Sequence, residues 1–392
     1  MSENRALIPT LSAANFIIGM GAFVLIGMLT PISEGLGISP ARTGWIMTTY
    51  ALAYAVLSPV LVSLTGKVGR RRLLTFALGI FAAANLLSAL AVNEAMLHTA
   101  RILAAAGAGV LTPVTAAVAS GLSNEEERGR VLAAVFFGLT LAQVLGVPLG
   151  SWIAYTFGWR AAFAMVFLLA LPVVALLWQV VPAGLAFQVV SLRDLGQTLR
   201  NGRTMLAVLF TTTFLGGIYV VYTYLAPLLE DTMGYGRDGV TLVLIVFGIG
   251  AVGGNILGGW LADRIGPFRT LLFLACMQAL IMPTMSLLPL PDLWLFMIGG
   301  TWSIFGWSFM AAQQVRIIGM SPQSAPVVLA LNAAAIYVGA AIGSAIGSAV
   351  ISAYGLKALG VAGGLVALCA VVHIAVSEAW NRQGGKAAAN SP

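Results

Sequence analysis

Long apolar runs separated by short polar clusters fill this chain from end to end. Twelve runs are long enough to cross a bilayer, at about 8–30, 41–64, 72–92, 96–119, 130–157, 161–181, 204–229, 239–262, 269–288, 293–316, 326–353 and 358–379. A helix needs about 20 mostly apolar residues to span a hydrocarbon core of roughly 30 Å. The pattern therefore predicts an all-α integral membrane protein of twelve transmembrane helices, with the softest boundaries around Pro289, Pro291 and the 321–326 turn.

Composition narrows the picture further. Of 392 residues 59% are hydrophobic and 8% charged, where soluble domains carry about a quarter charged residues. A water-facing surface, a disordered chain and a disulfide scaffold are all excluded. Cys276 and Cys369 lie inside apolar runs and read as small hydrophobes rather than a redox pair. The net charge of +7 comes in short clusters between runs, with no basic arm or stripe for nucleic acid. Alternate loops differ sharply in charge. Arg5, Lys67, Arg70, Arg71, Arg72, Arg128, Arg130, Arg193, Arg200, Arg203, Arg264, Arg269, Arg316, Arg382 and Lys386 fall on the side of the termini, fifteen in all. Arg42, Arg160, Arg237 and Lys357, four in all, fall on the other, and Arg101 is inside a span. The positive-inside rule then sets both termini in the cytoplasm. The first run is longer than a signal-peptide core and lacks a small-x-small cleavage site, so it reads as an uncleaved span.

The chain matches itself at an offset of 197 residues. Lys67-Val68-Gly69 falls on Arg264-Ile265-Gly266, and Gly146, Gly150, Ser151, Gly158, Arg160 and Ala161 fall on Gly343, Gly347, Ser348, Gly355, Lys357 and Ala358. One ungapped offset that aligns two different motifs indicates a duplicated unit rather than shared membrane composition. The expected organisation is two pseudo-symmetric six-helix bundles over 1–181 and 204–380. A polar cytoplasmic linker over 182–203 joins them, and a flexible cytoplasmic tail over 381–392 follows. Parallel repeats of this kind suit alternating access, with solute held between them near the midplane.

The motifs now carry a resemblance. Gly259-Trp260-Leu261-Ala262-Asp263-Arg264-Ile265-Gly266, after span 8, is similar to the loop signature of the major facilitator superfamily. The copy after span 2, Gly66-Lys67-Val68-Gly69-Arg70-Arg71-Arg72, has Gly66 where the family has aspartate. The resemblance implies a conformational latch of Lys67, Gly69, Arg70, Arg71, Asp263, Arg264 and Gly266. Asp263 would engage a helix amino terminus, and the missing partner at Gly66 would make the latch lopsided. In span 5, Gly138 and Gly146-Val147-Pro148-Leu149-Gly150-Ser151 resemble the glycine–proline motif of the family's exporters. Gly146, Pro148 and Gly150 also suit plain helix packing. The stretch Arg101 to Gly109 resembles the family's arginine-bearing fourth span, where the arginine serves proton coupling or substrate handling. A buried arginine costs at least about 2.5 kcal/mol on insertion scales. Arg101 would lie about 9 Å deep, where snorkelling to the outer surface is the alternative.

The family lines its cavity with spans 1, 4, 7 and 10. That resemblance nominates Asn15 and Phe23, Arg101, Tyr219 and Tyr222, and Trp302, Phe305, Phe309 and Gln313, which recur at helical spacing. Aromatic stripes with a few amides suit a solute with an apolar body and some polar groups, and ordinary helix packing explains such stripes equally well. No span has Lys, Asp or Glu near its middle, so the proton-coupling candidates are Glu34, Arg101 and Asp231, with Glu230 beside the last. His98 and His373 read as hydrogen-bonded structure or as shuttles. There is no phosphate loop, no metal-spaced His/Cys cluster and no catalytic nucleophile, so neither an enzyme nor a cofactor is expected. The reading is a monomeric secondary transporter of the bacterial inner membrane that exports a small amphipathic or neutral solute, with protons as exchange partner. Proton-independent facilitation or uptake, and a non-transporting receptor or assembly factor on the same scaffold, are the alternatives.

Overall fold

The computed structural model describes residues 6–124, 127–185 and 192–389. Arg5, residues 186–191 of the linker and the last three residues of the tail lie outside the described residues. Among the described residues, twelve helices are long and apolar enough to cross a membrane. Spans 1 to 6 are Leu7–Gly27, Pro40–Leu64, Arg70–Ala89, Glu94–Gly121, Arg130–Phe157 and Trp159–Val180. Spans 7 to 12 are Gly202–Met233, Arg237–Ile265, Pro267–Leu287, Asp292–Met320, Val327–Tyr354 and Leu356–Gln383. The chain is an all-α, multi-pass membrane protein with the twelve-span plan expected from its sequence.

Local chemistry sets the span ends. Ser39, Asn93 and Asn201 cap spans 2, 4 and 7, their side chains accepting from the N–H groups of Arg42, Met96 and Thr204 at 3.3, 2.9 and 3.2 Å. We call the ends joined by the loops after spans 1, 3, 5, 7, 9 and 11 distal, and the opposite ends proximal. Spans 1 and 7 each continue into a distal extension that stops at a left-handed glycine, Gly37 (φ 65°) and Gly234 (φ 66°), a conformation that only glycine adopts without strain. These two glycines are 197 residues apart. So are Gly158 (φ 88°) and Gly355 (φ 80°), and so are the first residues of spans 2 and 8, 3 and 9, and 6 and 12. The duplication is thus written in backbone geometry as well as in residue identity.

The last helix runs through Ala389, so most of the segment expected to be a flexible tail is helical. The Arg382–Glu378 pair at 3.0 Å, one turn apart, and the alanines that follow favour that continuation. Within the linker, Leu192–Arg200 forms a short helix.

The chain divides into two compact units. Unit 1 is Met1–Val189 with Tyr224–Gly248, and unit 2 is Val190–Thr223 with Ile249–Pro392. Spans 7 and 8 are therefore shared, their distal parts belonging to unit 1 and the remainder to unit 2. In unit 1, span 5 lies against span 1 so closely that a Cβ on Gly138 would stand 1.9 Å from the Ser12 carbonyl oxygen. In unit 2, a Cβ on Gly343 of span 11 would stand 2.3 Å from the Gly216 carbonyl oxygen of span 7. Small residues allow this backbone approach where no hydrophobic force drives helices together. Exposed tryptophans mark both ends of the spans, Trp45, Trp152 and Trp294 distally and Trp178, Trp260 and Trp380 proximally, as an aromatic belt at each interface requires.

Candidate functional site

Arg101 is fully buried inside unit 1. Its Nη2 donates to the Gly21 carbonyl of span 1 at 2.7 Å, and the guanidinium lies 4.7 Å from the Tyr50 ring centroid and 5.4 Å from that of Phe163. Among the described residues, its Nε and Nη1 have no hydrogen-bond partner. Snorkelling is therefore not the solution adopted. The charge is held between aromatic faces of spans 2 and 6, where a desolvated cation–π contact is worth about 2 kcal/mol or more. The guanidinium ties spans 1, 2, 4 and 6 of the unit together.

One turn earlier on span 4, His98 Nδ1 meets Thr49 Oγ1 at 2.8 Å, and Glu94 pairs with Arg42 at 2.6 Å. His373 differs in its surroundings. Its Nε2 donates to the Leu206 carbonyl and its Nδ1 meets Thr213 Oγ1, both at 2.8 Å, and its ring stands edge-on to Phe210.

A second polar contact of unit 1 lies at the distal ends. The Tyr155 hydroxyl of span 5 donates to Glu230 of span 7. Glu230 is half-buried, and Glu34 lies close enough to act electrostatically on both. Asp231, the residue singled out from the sequence, is exposed and has no hydrogen bond or ion pair among the described residues. A one-residue step on a helix turns the side chain by about 100°, which is why the neighbour rather than Asp231 faces span 5. Nothing in the spacing of 155 and 230 announces their contact. The only sequence signal was a carboxylate pair at the end of a span.

In unit 2 the aromatic candidates separate into two groups. Tyr219, Tyr222 and Trp302 are buried and stack edge-to-face in series, with centroids 5.9 and 6.3 Å apart. Phe309 packs on Phe214 at 5.0 Å. Phe305 is turned away, edge-on to Phe273 of span 9 at 5.7 Å. Three residues beyond Trp302 leave it about 60° off that face, whereas Phe309 and Gln313 return to it. The buried amides are structural ties between the first and fourth spans of each copy. Asn15 Nδ2 donates to Thr115 Oγ1 at 2.9 Å, and Gln313 Nε2 to the Ala207 carbonyl at 2.7 Å. Phe23 is buried in span 1. Gln278, not anticipated from the sequence, donates to the Trp302 carbonyl at 3.2 Å.

The two loop motifs behave differently. Arg70 is buried, its Nη2 3.4 Å from the Gly66 carbonyl, and Arg71 Nε donates to the Val181 carbonyl at 2.6 Å while lying 5.9 Å from the Trp178 ring. Lys67 is exposed and Gly69 is not left-handed. In the other copy Gly266 has φ 82°, Arg264 lies 4.7 Å over Trp260, and Asp263 is exposed with no hydrogen bond or ion pair among the described residues. In span 5 a π-helical turn, Ala142–Gly146, precedes Val147-Pro148, with Gly146 against Met20 and Gly150 against Val24. Among the described residues, no group of three or more His, Cys, Asp or Glu could hold a metal.

A model of the Major Facilitator Superfamily matches residues 11–318. Over 97% of both sequences the chain is 31% identical to a protein of Bacillus subtilis (strain 168) described as "Uncharacterized MFS-type transporter YtbD". It is 29% identical to YbcL of the same organism, described likewise, over 94% of this chain and 95% of the relative. It is 27% identical to a "Probable sugar efflux transporter" of Pasteurella multocida (strain Pm70), over 94% of this chain and 91% of the relative. Among solved structures it is similar to a bacterial homolog of the human lysosomal transporter Spinster in an inward-facing, unoccupied conformation. The TM-score is 0.76 at 16% identity, with 97% of each chain covered. A D-xylose-proton symporter gives a TM-score of 0.76 at 17% identity, over 94% of this chain and 96% of that one. At such identities these two structures bear on the fold alone.

Proposed function

This chain belongs to the major facilitator superfamily, a family of transporters rather than enzymes, and on that premise we propose that it exports a small neutral or amphipathic organic solute in exchange for protons. It works by alternating access in the bacterial inner membrane, as a monomer with both termini in the cytoplasm, so that the distal ends face outward. The observation that carries the exchange reading is Glu230, a half-buried carboxyl held by Tyr155 at the distal end of unit 1. A carboxyl in that position meets the outer solution when the distal contacts of span 7 part, and carries its proton inward when they re-form. The exporter reading draws support from span 5, whose Gly146 and Gly150 sit against span 1 on either side of Pro148, and from a relative described as a probable sugar efflux transporter. Each unit offers its own candidate groups, a buried cation at Arg101 in unit 1 and aromatic faces at Tyr222 and Trp302 in unit 2.

Counterflow of radiolabelled sugars and amphipathic drugs in proteoliposomes, with and without a pH gradient, tests the proposal. Saturable counterflow and acceleration of net flux by an acid exterior are the expected results. Absence of flux across the panel overturns transport of this solute class, and flux indifferent to the gradient favours proton-independent facilitation. The latter reading draws on the lack of Lys, Asp or Glu near the middle of any span.

A further inference from the structure

Spans 2 and 4 of unit 1 share a polar seam at their distal ends. On span 4, Glu94, His98 and Arg101 follow at steps of four and three, on one helical face. On span 2, Arg42 and Thr49 are two turns apart and face them. Arg42 Nε is 2.6 Å from Glu94 Oε2, Glu94 Oε1 is 3.5 Å from His98 Nε2, and His98 Nδ1 is 2.8 Å from Thr49 Oγ1. The seam opens into a cleft of about 530 Å³ that Arg42, Asn93, Glu94 and His98 help to line, and His98 keeps 25% of its side chain exposed there. One turn deeper lies the buried guanidinium of Arg101 against Tyr50, the residue after Thr49. The seam thus leads from water to the one cation enclosed within span 4.

We propose that Glu94 and His98 form a proton-binding site open to the distal solution, with Arg42 and Thr49 as its positioning residues. In the neutral ring Nε2–H points toward the Glu94 carboxylate, so the proton adds at Nδ1, which until then accepts from Thr49. His98 then becomes a double donor, Nε2–H toward Glu94 and Nδ1–H toward Thr49, whose hydroxyl turns from donor to acceptor. Arg42 and Glu94 cancel, so the cluster passes from neutral to a single positive charge one turn from Arg101. Among the described residues, the charged and titratable groups of the seam are Arg42 from span 2 and Glu94 from span 4, with Tyr50 and Arg101 the next such groups deeper along the same two helices. Arg160, at the start of span 6, is turned to the Ala91 carbonyl at 2.7 Å. Leu36, Ile38, Val92, Asn93 and Ala95, which complete the cleft, carry only Asn93 as a polar side chain. Arginine does not release its proton in proteins, whereas histidine is the side chain whose ordinary titration falls near neutral pH. His373 has the same Nδ1 contact with a threonine but a backbone carbonyl, not a carboxylate, at Nε2. The site deepens the exchange reading, and it rests on that reading only for its use in transport.

The chain has two histidines, so ¹⁵N-histidine labelling of the purified full-length protein gives two ring signals that His98→Gln assigns. With no solute present and protons as the only ligand, acidification is expected to convert the His98 ring reversibly from a singly to a doubly protonated form, read from its ¹⁵N shifts. Glu94→Gln should move its midpoint while leaving the His373 signal unchanged. A His98 ring that keeps one form throughout, or a midpoint indifferent to Glu94→Gln, overturns the site. In proteoliposomes, His98→Gln should lower gradient-driven hexose efflux about tenfold, with counterflow within about twofold of wild type. Equal gradient-driven efflux in the variant overturns the use of this site in exchange. Titration of His98 in a wild type whose flux ignores the gradient upholds the proton site and overturns the exchange reading instead.

Discussion

Spans 5 and 11 occupy the same place in the two copies of the repeat, and each presses a glycine on the first span of its copy, Gly146 on Met20 and Gly343 on Gly216. Span 11 runs unbroken, as part of the helix Ala325–Tyr354, with no proline inside. Span 5 is interrupted by a π-helical turn and Pro148. Against that turn lies Gly248 of span 8, where an added Cβ would stand 2.7 Å from the Val144 Cα. Close helix approach is common to both copies, and the break occurs in one copy alone. A π turn frees backbone groups and frequently accompanies function. The comparison therefore locates the adaptable packing in unit 1 and the rigid counterpart in unit 2.

The sharpest way to break this comparison is to add one methyl group at each of the corresponding glycines. In Gly343→Ala the methyl meets the Gly216 oxygen at 2.3 Å and the Tyr219 Cβ at 2.9 Å, near or on backbone that cannot step aside. In Gly146→Ala it meets the Met20 Cγ at 3.1 Å, on a flexible side chain. We expect a loss of about 3 kcal/mol for the first and under about 1 kcal/mol for the second, read as thermal midpoints in detergent. Equal losses would refute the distinction between the rigid and adaptable copies.

The next effect concerns the distal contact, which has no copy in unit 2, since Tyr155 falls on Ser352 at the repeat offset. Glu230→Gln should reduce gradient-driven flux at least about tenfold, or about 1.4 kcal/mol. Tyr155→Phe should reduce it about threefold, and Asp231→Asn less than about twofold. Initial rates in proteoliposomes decide the ranking. An Asp231→Asn variant as impaired as Glu230→Gln would return the coupling role to Asp231.

How far the sequence was legible follows from these same residues. Span positions came through because bilayer thickness imposes one length on every apolar run. The duplication came through because Gly158 and Gly355 must be glycine to hold φ near 80–90°. What stayed hidden depends on rotation and on partners distant in sequence. Asp231 and Glu230 are indistinguishable by composition, and only the helix phase at the end of span 7 turns one toward Tyr155. Phe305 belongs to an aromatic run at helical spacing, yet a turn of about 60° gives it to span 9. Whether Arg101 snorkels or turns inward depends on Tyr50 and Phe163, aromatic residues of two other spans that no local pattern ties to it.

The paired amides act on stability rather than on flux. Asn15 and Gln313 each tie the first span of a copy to the fourth, one through a threonine hydroxyl and the other through a backbone carbonyl. Asn15→Ala and Gln313→Ala should each cost about 1–2 kcal/mol of stability, because a buried partner is left unsatisfied. The Gln313 variant should be the more affected, since the Thr115 hydroxyl already donates to the Thr112 carbonyl at 2.7 Å. Denaturant or thermal midpoints that order the two the other way would show that the Thr115–Thr112 bond does not soften the loss of Asn15.

The least stability change is expected where the two loop motifs differ. Arg70 and Arg71 after span 2 are folded onto their own unit, Arg71 on the end of span 6, while Asp263 after span 8 is exposed and makes no bond among the described residues. A latch whose acidic member is unengaged in this conformation contributes little to its stability and acts only in the conformation that engages it. Asp263→Asn should therefore move the thermal midpoint by no more than a surface substitution does, within about 0.5 kcal/mol, while slowing counterflow about threefold. Gly66→Asp, which supplies the acid that the first copy lacks, should change the counterflow rate without a matching loss of stability. If Asp263→Asn unfolds the protein more readily, the aspartate is a structural residue of the loop. If it leaves both stability and rate unchanged, the loop after span 8 is an anchor and not a latch.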